Sequence, residues 1–293
     1  MSNETPGTHL STTPNKPALS PLDLVKHNLN TKYLTQVTNL YDGDKRAAMR
    51  FMTGFIDHIR RQPKLMECGT LSLINSAMAI ASFRFVPSTV SGEAYLIPYK
   101  NHGVLEANFQ IGYQGYVTLL YRAGVRAIQA EIVREKDEFT LDNGVPNHKV
   151  DPRKSREARG AAIGAYVKVV LPSGEPTYMY MNGEDILAHG RKFSKSFNNA
   201  DSPWKEVNDP GLHMWKKTII LQMKSTLPKN SELSRAMEED FKDSTVNSPM
   251  LDADGPAVAK ASHAPVVHDV QPRESNPAAE DMPPDLGPDI QVD

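Results

Sequence analysis

The sequence predicts an α+β fold in which a hairpin-built antiparallel sheet is flanked by helices. Three patterns carry that prediction. Apolar residues recur at helical spacing between residues 45 and 87, two stretches alternate with period two about a turn containing glycine, and a long amphipathic run closes the ordered part of the chain.

The elements follow in order. Met49, Met52, Ile56 and Ile59 share a stripe with Phe55 beside it, and Pro63 stops that helix. The segment TLSLINSAMAIASFRF combines Leu71, Ile74 and Met78 with many small residues, which suits a helix packed closely on a neighbour, and Pro87 ends it. Tyr95, Ile97 and Tyr99 alternate on one strand, Asn101-His102-Gly103 supplies a turn, and Ala107, Phe109 and Ile111 alternate on the return. Gly112 and Gly115 break the strand, and YVTLLYRAG reads as a short helix capped by Gly124. VRAIQAEIVREKDEF reads as a third strand and NGVPNHKVDPRKSREARG as a long polar loop. AAIGAYVKVVL turns at Pro172-Ser173-Gly174 into PTYMYM, and Asn182 with Asp185 forms a helix-opening pair. The last helix opens at Asp209-Pro210 and extends to about Leu227.

Charge divides the chain unevenly. Residues 237–293 hold 13 acidic residues against Lys242, Lys260 and Arg273, a net −10, so residues 1–236 carry +8 within a total of −2. A cationic body with an acidic tail fits a polyanion partner, although +8 is also compatible with an ordinary solvated surface. Residues 1–21 are rich in Ser, Thr and Pro, and residues 242–293 are acidic, with eight prolines and no aromatic from 245 onward. Both segments are expected to be disordered because neither can bury enough apolar surface to offset chain entropy. The folded core is expected over 22–241. A single cysteine, Cys68, excludes an intramolecular disulfide, residues 1–20 lack the apolar core of a secretory leader, and the longest apolar stretches fall far short of a membrane span. The expectation is a soluble cytoplasmic protein.

Several chemistries lack their residues. There is no GxxxxGK[ST] and no Gly-Lys pair, so phosphate-cradling ATPase chemistry is not supported. The one Asp/Glu-x-Lys triplet is Asp240-Phe241-Lys242, at the edge of the acidic tail. What remains is cations beside aromatics. Tyr95, Tyr99, Phe109 and Tyr113 lie close in sequence to Lys100, Arg122 and Arg126. Single-strand binders need that pairing, since cations follow the phosphates and any base can stack on an aromatic face. Tyr95, Tyr99 and Phe109 have a competing place in the core, whereas Tyr113, between two glycines, is the stronger candidate. In LHMWKKTIILQMKSTLP, Leu212, Trp215, Ile219 and Met223 fall on one side, with Lys217 and Lys224 opposite and Lys216 flanking them. This pattern predicts a buried helix with a basic outer rail.

The order of motifs resembles the RecT family of phage DNA single-strand annealing proteins. The resemblance rests on Pro63-x-Leu65-x-Glu67-Cys68, the small-residue helix ending at Pro87, Ala94-Tyr95-Leu96-Ile97-Pro98-Tyr99, Phe109-Gln110-Ile111-Gly112-Tyr113-Gln114-Gly115, Ser202-Pro203-Trp204 and Lys216-Lys217-Thr218. It covers about residues 45–230. It implies ATP-independent annealing of complementary strands in homologous recombination by a protein that forms rings or helical filaments. A phage exonuclease is the implied partner. The acidic tail reads either as a solubilising extension or as a segment that competes with DNA or docks a partner such as the host single-strand binding protein, and no cofactor is expected beyond magnesium as a modulator of DNA binding. The resemblance also implies that Gln110, Tyr113, Lys216, Lys217 and Lys224 lie near the DNA. With Lys100, Arg122 and Arg126 from the residue pattern and Gln114 from the glycine segment, these make the candidate DNA-binding set. Two positions depart from the family pattern: Gln114 stands where a basic residue is common, and Phe83-Arg84-Phe85 replaces the usual Leu-Gly-Leu. A metal-dependent nuclease and a structural oligomer without DNA binding stay open at this point.

Overall fold

A computed structural model describes residues 19–87, 90–101, 103–228 and 230–243, except the side chains of 241–243. The disorder expected for residues 1–18 and 244–293 lies outside the described residues, as does His102 of the expected turn.

Four helices and a helical turn come first: α1 (Pro21–Asn30), α2 (Leu34–Leu40), α3 (Lys45–Arg60), α4 (Pro63–Met66) and α5 (Thr70–Ser82). The start of α1 follows from capping, because Ser20 accepts the Asp23 amide and proline occupies the first turn. Asp44 caps α3 in the same way through the Arg46 and Ala47 amides. The buried side of α3 carries Phe51, Met52, Phe55, Ile56 and Ile59, while Met49 is half exposed, so the stripe is centred one position further round than the spacing predicted. Helix α5 ends at Ser82, before Pro87. Arg84 there adopts φ 52°, a left-handed conformation that glycine takes freely and that costs other residues roughly 1–2 kcal/mol.

The hairpin of β1 (Ala94–Asn101) and β2 (Val104–Ile111) follows. Its register sets Ala94, Leu96 and Pro98 opposite Ile111, Phe109 and Ala107, and this face meets the core. Tyr95, Ile97 and Tyr99 lie opposite Gln110, Asn108 and Glu106 on the other face. The core expected for Phe109 is therefore observed, whereas Tyr95 and Tyr99 point away from that face because side chains alternate along a strand. The outer edge of β2 is satisfied by α5: Ser72 accepts from the Ala107 amide and the Ser76 hydroxyl donates to the Ala107 carbonyl.

Next come α6 (Tyr113–Arg122), β3 (Ala127–Arg134), β4 (Glu138–Asp142), β5 (Val145–Lys149), β6 (Ala162–Val170), β7 (Pro176–Asn182), α7 (Gly183–Phe193), α8 (His213–Gln222) and α9 (Ser231–Asp243). Among the described residues the strands form three small antiparallel sheets, β1-β2, β3-β6-β7 and β4-β5, where the sequence predicted one. Helix α8 packs on the three-stranded sheet and also on α6, and so stands between that sheet and α6. Asn182 caps α7 by accepting the Asp185 amide at 2.8 Å, as its spacing predicted.

Helices α1, α2 and α9 lie where the sequence predicted no element, and two further stretches differ from expectation. The expected third strand ends at Arg134, and its last residues, Glu138 and Phe139, open β4 instead. Strand β4 pairs with β5 of the expected polar loop across Asn143 and Gly144 at φ 49° and 81°, as a two-residue hairpin turn requires. Phe139 and His148 of this hairpin pack on Tyr166 and Tyr180. Helix α8 begins at His213, because Leu212 is left-handed at φ 48° and Asp209 reaches forward to the His213 amide. Its last helical residue is Gln222, short of the predicted Leu227. No helix among the described residues is long and apolar enough to cross a membrane.

Candidate nucleic-acid interface

The junction between β2 and α6 is built by close contact. A methyl group on Gly112 would collide with the Gly92 carbonyl and the Tyr95 ring, and one on Gly115 would press on the Glu93 carbonyl and Ile111. These glycines admit the protein's own chain at residues 92–93, and the Gly112 amide donates to the Glu93 carbonyl at 2.9 Å. Tyr113 is thereby held in the first turn of α6 beside the hairpin face that bears Tyr95, Tyr99 and Gln110.

Around Tyr113 the structure gathers cations and a second ring. Lys216 Nζ lies 5.9 Å from the Tyr113 ring centroid, within cation–π range, and the His213 ring lies 5.7 Å away at 44°. Asp209 holds His213 in place through Nδ1 at 2.8 Å. Burial, followed by the charges of Glu131 and Tyr121, raises the Tyr113 phenol above its usual pKa; burial and Asp209 do the same to Tyr95. Both rings stay neutral and apolar-faced at physiological pH, as stacking requires. Gln110 Nε2 donates to the Tyr99 hydroxyl at 3.3 Å, a diagonal contact on the same face. His213 and Asp209 went unnoticed in the sequence, where Asp209-Pro210 looked like a helix cap.

Lys217 lies elsewhere than its helical position predicted. It is 8% exposed, donates to the Ile111 carbonyl at 2.7 Å, and pairs with Asp240 of α9 at 2.8 Å. The basic outer rail is therefore corrected. Helix α8 buries Trp215, Lys217, Thr218, Ile219 and Ile220, because α6 packs on the side taken to be wet and Ile111 and Asp240 close over Lys217. Asp240 also accepts from the Tyr116 hydroxyl at 2.7 Å, so the carboxylate of the Asp240-Phe241-Lys242 triplet is committed to an internal network.

The remaining candidates have separate surroundings. Lys100 is exposed near the tip of β1, and Lys224 is exposed just beyond α8. Gln114 is exposed against Gly92. Arg126 is exposed beside Gly174 of the β6-β7 turn. Arg122 ends α6, about 14 Å along the helix from Tyr113, and donates to the Phe83 carbonyl and to Glu232. The structure thus joins Tyr113, Lys216 and the Tyr95-Tyr99-Gln110 face, gives Arg122 and Arg126 other neighbours, and leaves Lys100 and Lys224 exposed.

A family model described as the RecT family matches residues 49–249. Protein RecT of Escherichia coli (strain K12) is 30% identical over 192 residues, 63% of this chain and 68% of that protein. Uncharacterized protein YqaK of Bacillus subtilis (strain 168) is 26% identical over 195 residues, 66% of this chain and 63% of that protein. Together with the fold, these matches define a protein of the DNA recombination and strand-annealing class. The chain belongs to the RecT family.

Proposed function

We propose that this protein binds single-stranded DNA along the β1-β2 and α6 face and anneals complementary strands without ATP, in homologous recombination of a phage within the bacterial cytoplasm. The observation that carries this reading is the setting of Tyr113 beside Lys216, a stacking surface next to a cation. Tyr95, Tyr99 and Gln110 extend that surface across the hairpin. Each base that stacks gains on the order of 1–3 kcal/mol irrespective of its identity, which suits a general strand binder.

Annealing itself needs no bond chemistry. A base-pair step releases roughly 1.4 kcal/mol, so pairing is downhill once phosphate repulsion and self-structure are overcome. Cations beside the stacking face reduce the first obstacle and stacking holds bases extended against the second. Assembly into rings or filaments would set many such faces side by side, so that register is tested over a long stretch. No cofactor takes part in this scheme, magnesium acting only as a modulator of DNA binding; an exonuclease would supply the strands and the host single-strand binding protein would be displaced from them.

The reading is tested by binding a labelled oligonucleotide over a series of salt concentrations, with product length analysed in magnesium. Affinity is expected to fall linearly on logarithmic axes, with a slope near −0.7 per phosphate contacted. A flat response, or shortened DNA, would contradict it.

A further inference from the structure

The ends of α2, α5 and α6 and the start of α9 line an open cleft of about 710 Å³ that carries Arg84, Arg122 and Arg235, with Asn39, Ser231 and Glu232 beside them. Each guanidinium is fixed by a main-chain carbonyl at or next to a helix end, where carbonyls lack intrahelical partners. Arg84 Nε donates to Leu40 at 3.0 Å, Arg122 Nη1 to Phe83 at 2.6 Å and Arg235 Nη2 to Ser82 at 2.9 Å. The donors are thus oriented before any ligand arrives.

The charge is not balanced. Arg84 meets Asp42 at 2.6 Å and Arg122 meets Glu232 at 2.9 Å, while Arg235 has no carboxylate partner among the described residues. Arg235 lies 4.4 Å over the ring of Phe83, which is itself 1% exposed. The cleft therefore offers planar donors and one surplus positive charge, and no open aromatic face for a base. Arg84 occupies it from a left-handed backbone at φ 52°, at the position where the resemblance to the family expects glycine. A side chain kept at that conformational cost points to use of its guanidinium.

We infer that this cleft holds a backbone phosphate of the bound strand, taken in the forked manner that guanidinium groups offer to oxyanions. The inference rests on the single-strand binding proposed above and adds a second contact, half a turn round α6 from Tyr113, where Arg122 faces α5 and α9. An acidic peptide is the weaker fit, since Asp42 and Glu232 already supply carboxylates to two of the three arginines and Arg235 lies over buried Phe83 with no open apolar pocket beside it.

The test uses the full chain and a labelled single-stranded oligonucleotide over a range of salt. Arg235→Ala and Arg84→Gly are each expected to make the log affinity against log salt slope shallower by about 0.7, the loss of one phosphate. Glu232→Gln removes a wall carboxylate and is expected to tighten binding several-fold, a gain that a merely structural role for the cleft does not produce. A thermal melt of each variant confirms folding, and Glu232→Gln decides the matter if an arginine variant does not fold. If the unaltered chain binds DNA and all variants match it in slope and affinity, or if polyglutamate competes for the cleft while DNA binding is indifferent to these substitutions, the cleft is not a phosphate site. If the unaltered chain ignores DNA, the binding reading fails and the cleft with it.

Discussion

Lys217 and Asp240 form a buried ion pair that fastens α9 across α8, and the same ammonium donates to the Ile111 carbonyl two residues before Tyr113. Adjacent lysines therefore do opposite work. Lys216 reaches out toward the Tyr113 ring, while Lys217 braces the β2-α6 junction from within. Lys217→Ala is expected to destabilise the protein by about 1–3 kcal/mol in urea unfolding, because the part-buried Asp240 carboxylate loses its cation and keeps only the Tyr116 hydroxyl. Lys216→Ala should leave the unfolding midpoint nearly unchanged and reduce the salt slope of DNA binding by about 0.7. Equal destabilisation by the two substitutions would contradict this division.

Tyr113 is predicted to act through its ring. Tyr113→Ala should weaken binding of a single strand by on the order of 1–3 kcal/mol, roughly 5- to 150-fold, while Tyr113→Phe should keep most of the affinity. Fluorescence anisotropy with a labelled oligonucleotide reads both. A loss in the phenylalanine variant as large as in the alanine variant would transfer the role to the hydroxyl.

Gly112 is needed for contact within the chain. Gly112→Ala would drive a methyl group into the Gly92 carbonyl and Tyr95, at roughly 1–3 kcal/mol or more, with displacement of Tyr113 as a second effect. Gly103, by contrast, has open space around its missing side chain, so its replacement costs only the strain of a positive φ. Thermal melts of the two alanine variants should rank Gly112 as the more damaging.

The Asp137 carboxylate is held well below its usual pKa, first by hydrogen bonds from Arg159 at 2.6 and 2.7 Å, then by His148 and the Arg134 amide. Lowering the pKa in the folded state means that the stabilisation is complete above the unfolded value of about 3.9 and is lost as pH falls through the lower folded value. Chemical unfolding should therefore show constant stability from Asp137 near neutrality and a decline below about pH 4. Asp137→Asn should be less stable at neutral pH and show a flatter acid limb. An unchanged limb would remove Asp137 from the acid response.

Local patterns in the sequence were legible where local physics decides. Asn182 and Asp185 announce the start of α7, and Pro172-Ser173-Gly174 announces the turn between β6 and β7. Asn143-Gly144 is an equally good turn signal and Glu138 to Asp142 alternate cleanly, but Pro146, Asn147 and Lys149 make the return strand polar, so β5 reads as loop in the sequence. Asp209-Pro210 mimics a helix cap; the carboxylate caps from further back because Leu212 turns left-handed in between. Lys217 was misplaced for a different reason. Its helical position is correct, but the partner that buries it is 23 residues away on α9, and no periodicity reports such a contact. The candidate site was legible in the same uneven way: Tyr113 and Lys216 were named, and His213, brought to them by the fold, was not.

The most direct measurement is the rate at which two complementary oligonucleotides form duplex in nucleotide-free buffer, with and without the purified protein. The proposed mechanism predicts a large acceleration that needs no ATP, weakens as salt rises, and is largely lost in Tyr113→Ala with Lys216→Ala, a double variant expected to remain folded. Duplex forming no faster than in buffer alone, or an acceleration indifferent to salt and to both substitutions, would contradict it.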